Sequence, residues 1–217
     1  MAQPPPARDG EVPKRRGPGR PRLLEPSLEY RARQEEIIAA AAAVFHDKGY
    51  DAGTLDDVAV ALDLRRASLY HYVRSKAELL RLIFERALDR ALGELDEALK
   101  IDDPGARLEA LIRHQAHTVT RDPSLFSVFF DHRPRLQADY AEGIRKRERR
   151  YLDAYRAAVR AAVAAGAIGD VDARYATQAI FGMTTWSYKW FQAARDDPVA
   201  FADVCVELIL GPRPASA

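Results

Sequence analysis

Side chains that can bind a DNA duplex lie close together between residues 54 and 76. Arginine can form a two-pronged hydrogen bond with O6 and N7 of guanine, and serine or a small apolar group can touch bases or the thymine methyl. A hydroxyl, an ammonium and the free N–H groups of a helix N-terminus can reach phosphate. The candidates for contact with bases are Arg65, Arg66, Ala67, Ser68, Tyr70 and His71. The candidates for contact with phosphate are Tyr72, Lys76 and the helix N-termini near Thr54 and Ser75.

Two short helices and a longer one must position these side chains. Thr54 is a suitable N-cap followed by two acids, which predicts a helix over residues 55–62. A second short helix is predicted over 64–73, and Ser75 caps the longer one. The inward faces of the short helices would be formed by Val58, Ala59, Leu62, Leu64 and Leu69. This is the outline of a helix-turn-helix, whose second helix enters the major groove.

The remainder of the chain also has helical periodicity. Its apolar residues recur at three-four spacing, and no segment shows the sustained alternation of a strand. We therefore predict an all-α fold with about nine helices. The longer predicted helices cover residues 75–95, 104–120, 134–165, 170–194 and 198–210.

Composition excludes several classes of protein. The chain has 217 residues, 47% of them hydrophobic and 30% charged, and no uncharged apolar run long enough to cross a bilayer. Cys205 is the only cysteine, which excludes an internal disulfide and a four-cysteine zinc site. No GxGxxG or Walker-type loop is present, and no cofactor is predicted. We expect a cytoplasmic protein without a secretory signal or membrane contact.

Residues 1–26 have the composition of a disordered basic arm. They contain seven prolines, and the stretch 14–22 holds five basic residues and no acid. Arg20, Pro21 and Arg22 belong to a segment that resembles the Arg-Gly-Arg-Pro core of minor-groove hooks. The alternative is a solvated tail that helps DNA binding only through non-specific electrostatic attraction. The sequence leaves both open.

The stretch from Arg31 to Leu82 resembles the DNA-binding domain of the TetR family of bacterial transcriptional regulators. The residues that carry the resemblance are Phe45, Gly49, Tyr50, Thr54, Val58, Ala59, Ser68, Leu69, Tyr70, His71, Tyr72, Ser75, Lys76, Leu79 and Leu80. By position, the resemblance implies that Thr54, Tyr72 and Lys76 hold phosphates. It implies base or nearby backbone contacts for Arg66, Ala67, Ser68 and Tyr70, and leaves Arg65 and His71 open. Family members commonly have glycine where this chain has Asp63, which tolerates the left-handed conformation.

The resemblance also implies the domain organisation. Residues 27–81 would form the DNA-binding domain, and residues 82–217 a larger helical domain for ligand binding and dimerisation. Family dimers pair their last two long helices, here about 170–194 and 198–210, and a two-fold dimer reads a palindrome. We therefore expect a homodimeric repressor that binds a palindromic operator and is released by a small-molecule effector.

Aromatic residues cluster in three helices of the C-terminal half and can simply form its core, whereas the resemblance implies a cavity among these helices. The resemblance implies a ligand there, with Gln115, Thr118, Tyr151, Thr184 and Trp186 as the candidate contacts. Residues 182–191 resemble a segment of family members that respond to acyl-CoA thioesters. The basic run 145–150 can meet CoA phosphates or be a solvated helix face.

Other functions remain possible at this point. His114, His117 and His132 can be read as metal ligands, but scattered histidines are more often pocket or surface residues, and no metal is predicted. No catalytic arrangement of side chains is evident. The alternatives are a small all-helical enzyme acting on acyl or aromatic substrates and a DNA-binding protein with no effector.

Overall fold

A computed structural model describes residues 27–135 and 138–212. Within these residues the chain forms ten α-helices and two short 3-10 helices, with no strand, so the predicted all-α fold is confirmed. The α-helices are α1 (Leu28–Lys48), α2 (Leu55–Ala61), α3 (Arg66–Leu69), α4 (Lys76–Gly93), α5 (Leu95–Leu99), α6 (Pro104–Arg121), α7 (Pro123–Asp131), α8 (Ala138–Ala164), α9 (Ala173–Thr185) and α10 (Pro198–Leu210). The 3-10 helices are Arg133–Arg135 and Trp186–Lys189.

Side-chain caps fix where the helices of the N-terminal region begin. Thr54 and Asp57 form a reciprocal capping box, in which the Asp57 N–H donates to Thr54 Oγ1 at 3.1 Å and the Thr54 N–H donates to Asp57 Oδ2 at 2.9 Å. Ser75 accepts from the N–H of Glu78 at the start of α4. Both caps satisfy N–H groups that have no partner inside the helix.

The turn between α2 and α3 is closed although it lacks the usual glycine. Asp63 takes a left-handed conformation with φ of 52°, as the sequence predicted for this position. The N–H of Leu64 then donates to the carbonyl of Ala59 at 2.8 Å. The turn therefore sets the angle at which α3 leaves α2.

Three predicted helices end or divide at other places than expected. The predicted helix 75–95 divides after Gly93, a weak helix former, into α4 and α5. The predicted helix 134–165 begins at Ala138, after a 3-10 turn that contains Pro134. The predicted helix 170–194 gives way to a 3-10 turn after Thr185, where the Ser187 hydroxyl donates to the Thr184 carbonyl at 2.7 Å.

Two clusters of buried residues hold the helices together. One cluster holds the first four helices, α1, α2, α3 and α4, together with α7. Its aromatic centre includes Phe84 and Phe129, whose ring centroids are 4.8 Å apart. The other joins the end of α4 to α6, α8, α9 and α10 around the fully buried Tyr155. Because α7 belongs to the first cluster, it packs directly against the helices that carry the helix-turn-helix. Among the described residues, none of the helices has the length and hydropathy of a membrane span.

Candidate nucleic-acid interface and ligand cavity

α3 presents the predicted base-contacting residues on the surface. Leu69 is fully buried and fixes the short helix to the core, while Arg65, Arg66, Ala67, Tyr70 and His71 are exposed and Ser68 is half-buried. The backbone after Leu69 continues in turns rather than in the longer helix predicted to residue 73. A helix of four residues is thus enough to bring six candidate side chains to one surface.

Arg66 is held in place by neighbours on both sides. Its Nη1 donates to Asp56 Oδ2 in α2 at 2.8 Å, and its Nη2 donates to the Tyr70 hydroxyl at 3.1 Å. The pKa of Arg66 is raised above its ordinary value. The larger cause is the hydrogen bond to Tyr70, and the second is the negative charge of Asp56. The guanidinium is therefore positioned and charged, with an acid from α2 inside the predicted interface.

The predicted phosphate contacts have different surroundings. Thr54 is exposed, but its hydroxyl donates to Asp57 Oδ2 at 2.7 Å. Tyr72 is half-buried and stacks against Tyr30, with 4.9 Å between ring centroids. The Lys76 ammonium donates to the carbonyl of Asp51 at 3.0 Å and lies 4.5 Å from the centroid of the Tyr50 ring.

Lys76 therefore points toward the turn between α1 and α2 rather than away from the protein, and it must turn to reach a phosphate. The roles of all nine residues in DNA contact stay predictions. Arg20 and Arg22, the two candidates in the arm, lie outside the described residues.

An aromatic cavity of about 140 Å³ lies between α4, α6, α7, α8 and α9. Gln115 and Tyr151, two of the predicted ligand contacts, line it. The other lining residues are Ala87, Leu88, Ala91, Phe126, Phe129, Phe130, Arg133, Glu148, Leu152 and Phe181. An apolar cavity with a few convergent polar groups is the usual form of a small-molecule site.

A chain of hydrogen bonds supplies the polar groups of this cavity. The Tyr151 hydroxyl donates to Gln115 Oε1 at 2.6 Å, and Gln115 Nε2 donates to Thr185 Oγ1 at 3.2 Å. Tyr155 donates to the carbonyl of Leu111 at 2.7 Å and lies 3.1 Å from the Tyr151 hydroxyl. Burial raises the pKa of Tyr151 and of Tyr155, so both hydroxyls stay neutral.

An ion pair between Arg133 and Glu148 forms part of the cavity wall. The Arg133 guanidinium also lies 5.9 Å from the centroid of the Phe129 ring. Burial raises the pKa of Glu148 above its ordinary value, against the opposing charge of Arg133. Sequence reasoning missed both residues, because their partnership joins the segment after α7 to the middle of α8.

Three of the predicted ligand contacts are not brought to this cavity. Thr118 lines a separate cleft instead. Thr184 is fully buried and donates to the carbonyl of Ile180 in its own helix at 2.7 Å. Trp186 lies on the 3-10 turn after α9 and is 60% exposed. A position in an aromatic helix did not reveal which way each side chain points.

Of the three histidines considered as metal ligands, His114 and His117 line one cleft and His132 lies apart from them. His114 is buried, and its Nε2 donates to the carbonyl of Ala91 at 2.7 Å, whereas His132 packs against Tyr50 with 6.0 Å between centroids. Within the part of the chain that the structure describes, no group of three His, Cys, Asp or Glu residues could hold a metal ion.

Several contacts join the cavity region to the helix-turn-helix. Arg135, two residues after Arg133, forms an ion pair with Asp51 in the α1–α2 turn at 2.6 Å. Nδ1 of His46 in α1 lies 2.9 Å from the Ser127 hydroxyl of α7. The wall of the cavity and the base of the predicted DNA-binding surface are thus connected through α7 and the segment after it.

Comparison with known proteins agrees with both halves of the chain. The family model described as "Bacterial regulatory proteins, tetR family" matches residues 37–83, and that described as "Tetracyclin repressor-like, C-terminal domain" matches residues 101–211. This chain belongs to the TetR family. TetR-family members are DNA-binding transcriptional regulators, which sets the enzyme alternative aside.

The relatives of known sequence or structure fit this family. The uncharacterised regulator YfiR of Bacillus subtilis is 39% identical over 66 residues, which are 30% of this chain and 32% of YfiR. The repressor KstR2 of Mycolicibacterium smegmatis is 26% identical over 124 residues, 55% of this chain and 60% of KstR2. The crystal structure of AibR with isovaleryl coenzyme A and operator DNA superposes with a TM-score of 0.72 and 29% identity, covering 83% of this chain and all of that one. The chain thus spans less than two thirds of either curated relative.

Proposed function

We propose that this TetR-family regulator is a repressor that binds a palindromic operator as a homodimer and is released by a small apolar effector. The observation that carries the proposal is the position of α7. Its residues Phe126, Phe129 and Phe130 form a wall of the aromatic cavity, and the same helix packs against α1. A ligand that moves α7 therefore moves the helix on which the DNA-binding surface is built.

The mechanism is a shift between two populations. Effector binds more tightly to a form in which the two α3 helices of the dimer are wrongly spaced for the operator. The loss of operator affinity equals the difference in effector affinity between the two forms. The boundary between the two domains, after residue 81, is part of this proposal. Residues 27–81 would bind DNA and residues 82–217 would bind the ligand, both in the cytoplasm.

Exposed apolar residues on α9 and α10 support the proposed dimer. Tyr175 of α9 and Leu208 of α10 are 65% and 69% exposed, and Val204 shares the exposed side of α10. Exposed apolar side chains grouped on neighbouring helices are typical of a surface that is covered by a partner. Pairing these two helices about a two-fold axis places two copies of α3 on one face of the duplex.

An acyl-CoA thioester is the proposed class of effector. A cavity of about 140 Å³ has room for a short acyl group, and the Tyr151–Gln115 pair can donate a hydrogen bond to a thioester carbonyl. The AibR structure contains isovaleryl coenzyme A, whose isovaleryl part is a short acyl group. The basic run on α8 is largely paired already, since Arg147 bonds Asp89, Arg150 bonds Asp96, and Arg145 and Arg149 share Glu142. Phosphate contact there requires these pairs to open.

The DNA-binding half of the proposal is tested by selecting duplexes from a random library with the purified full chain. We expect a palindromic consensus, and its loss in the Arg66→Ala, Tyr70→Ala double variant. A selected site without two-fold symmetry contradicts the dimer, and no enrichment at low salt contradicts operator binding. Deletion of residues 1–26 tests the arm, because a minor-groove contact predicts weaker binding and a flatter salt dependence.

The effector half is tested by fluorescence anisotropy on the selected duplex. Isovaleryl-CoA is titrated against CoA and isovalerate as separate controls, with the wild type and with Ala87→Leu, which narrows the cavity. We expect release only by the thioester, and at higher concentration with Ala87→Leu. Release by CoA alone, or equal release of both proteins, contradicts the proposed site.

A further inference from the structure

A second cleft adjoins the region of the aromatic cavity and, like it, is lined by residues of α4 and α6. It has a volume of about 670 Å³ and is walled by the end of α4, one face of α6 and the segment that leads into α10. This volume is within the range of small-molecule sites, roughly 300–1,000 Å³. Its residues are not those of the aromatic cavity, so the proposed effector site leaves it unused.

The cleft contains an arginine and a histidine that lack a hydrogen-bonding partner within the described part of the chain. Arg121 at the end of α6 and His117 one turn earlier both line it. Among the described residues, neither side chain has a hydrogen bond or an ion pair. Arg90 on the α4 wall is paired with Asp122 at 2.5 Å. Two donors on one face of α6 are therefore free to hold an anion.

The opposite wall of the cleft is apolar. Phe191, Ala193 and Pro198 supply it, and Phe191 is nearly fully buried. Glu94 is the only acid that lines the cleft within the described residues, and it lies 3.5 Å from His114 on the far side from Arg121's helix end. An arginine with a neighbouring imidazole, opposite an apolar wall, matches a molecule with a carboxylate at one end and a hydrocarbon body.

The two cavities are separated by a hydrogen bond. His114 lines the cleft, and its Nε2 donates to the carbonyl of Ala91, a residue that lines the aromatic cavity. This bond joins α4 to α6, and the two cavities have no lining residue in common. The cleft is thus a separate site.

We propose that this cleft binds an amphipathic carboxylate, with the carboxylate held by Arg121 and His117 and the hydrocarbon body packed on Phe191 and Pro198. The site lies beside Arg90, whose partner Asp122 caps α7 by accepting from the N–H of Leu125 at 3.1 Å. A carboxylate in the cleft therefore lies next to Arg90, the residue of α4 whose ion pair with Asp122 joins α4 to the start of α7.

The test is isothermal titration calorimetry of the full chain with octanoate, without DNA. Octanamide has the same chain but no charge and serves as the matched probe. We expect octanoate to bind at least about tenfold more tightly than octanamide, because a charge-assisted hydrogen bond is lost with the amide. Omitting DNA separates this result from the proposed repressor function.

Two pairs of variants locate the binding. Arg121→Gln is expected to weaken octanoate binding about tenfold or more, whereas Arg160→Gln, an exposed arginine on α8, leaves it unchanged. Ala87→Leu in the aromatic cavity is expected to have no effect. The proposal is overturned by equal binding to wild type and Arg121→Gln, by loss of binding in Ala87→Leu, or by no heat at millimolar octanoate. Circular dichroism spectra of all variants check that they are folded.

Discussion

Arg66 and Asp56 form an ion pair across the α2–α3 turn, with 2.8 Å between Nη1 and Oδ2, on the surface predicted to meet DNA. Both side chains are more than half exposed, so the pair does little for stability. Under the proposed function, the pair holds the guanidinium in place and puts a negative charge near phosphate. It would then favour a base sequence that Arg66 can read over the uniform charge of the backbone.

Asp56→Asn should raise affinity for non-operator DNA. Removing the acid ends a repulsion from phosphate and releases Arg66, so we expect roughly two- to tenfold tighter binding to a scrambled duplex and a salt slope steeper by less than about 1. The ratio of operator to scrambled affinity should fall. Anisotropy titrations of both duplexes at several salt concentrations measure both quantities. Asp170→Asn, a remote exposed acid, is the control, and an unchanged ratio would show that Asp56 has no part in specificity.

Gly53→Ala should destabilise the protein by about 1–3 kcal/mol, as expected for overpacking. A Cβ at this position would lie 2.9 Å from Phe45 Cδ1 and 3.2 Å from the carbonyl oxygen of Gly49, where the chain passes close to α1. Gly143→Ala in α8 is the matched control, because nothing lies within 4 Å of its added Cβ. Urea denaturation should show a lower free energy of unfolding for Gly53→Ala and a higher one for Gly143→Ala, since alanine is a better helix former than glycine.

Asp57 should make the free energy of unfolding depend on pH in the acidic range. A hydrogen bond from Lys48, followed by those from Thr54, lowers the pKa of Asp57 from 3.8 to about 2. A lowered pKa in the folded state adds stability above about pH 4, and this is lost as the pH falls toward 2. The wild type should therefore be more stable than Asp57→Asn at pH 6, with a difference that shrinks by pH 3. Urea midpoints across this range test it, and a constant difference contradicts it.

Arg133→Gln should show a loss of stability that also grows with pH, but over a higher pH range than for Asp57→Asn. Burial already raises the pKa of Glu148 above 4.5, and loss of Arg133 raises it further. A raised carboxyl pKa means that the folded state holds the proton more tightly, so the stability cost appears as the pH rises above about 5. We expect a loss of about 1 kcal/mol at pH 7, reduced by the half exposure of Arg133, and little at pH 4.5.

Arg135→Gln is the matched control for that measurement. Its ion pair with Asp51 is exposed at both ends, so its removal should change stability little at either pH. If the stability of Arg133→Gln and that of Arg135→Gln depend on pH in the same way, burial of Glu148 does not cause the loss of stability at pH 7.

Local signals predicted the helix-turn-helix well. The caps at Thr54 and Ser75, the inward Leu69 and the left-handed Asp63 depend on residues within a few positions of each other, and each was found where the sequence indicated. Helix propensity and capping are short-range effects, and a single chain displays them directly.

The aromatic cavity was only partly predictable, because its contacts join distant parts of the chain. Gln115 and Tyr151 were identified separately, but the bond between them depends on how α6 meets α8. Thr184 was a reasonable candidate by type, yet its hydroxyl bonds its own helix. The pairing of Arg133 with Glu148 has no local pattern at all, since nothing in the spacing of two charges shows that helices will bring them together.

Residues 133–135 contact both functional regions, through Arg133 at the cavity and Arg135 at the α1–α2 turn. Under the proposed mechanism, thermodynamic reciprocity then applies: protein held on its operator takes up effector more weakly, by the same factor by which effector weakens the operator. The effector dose needed for half-release will therefore rise with the number of operator copies present. A three-residue segment between two helices would thus make the sensitivity of the sensor depend on its targets.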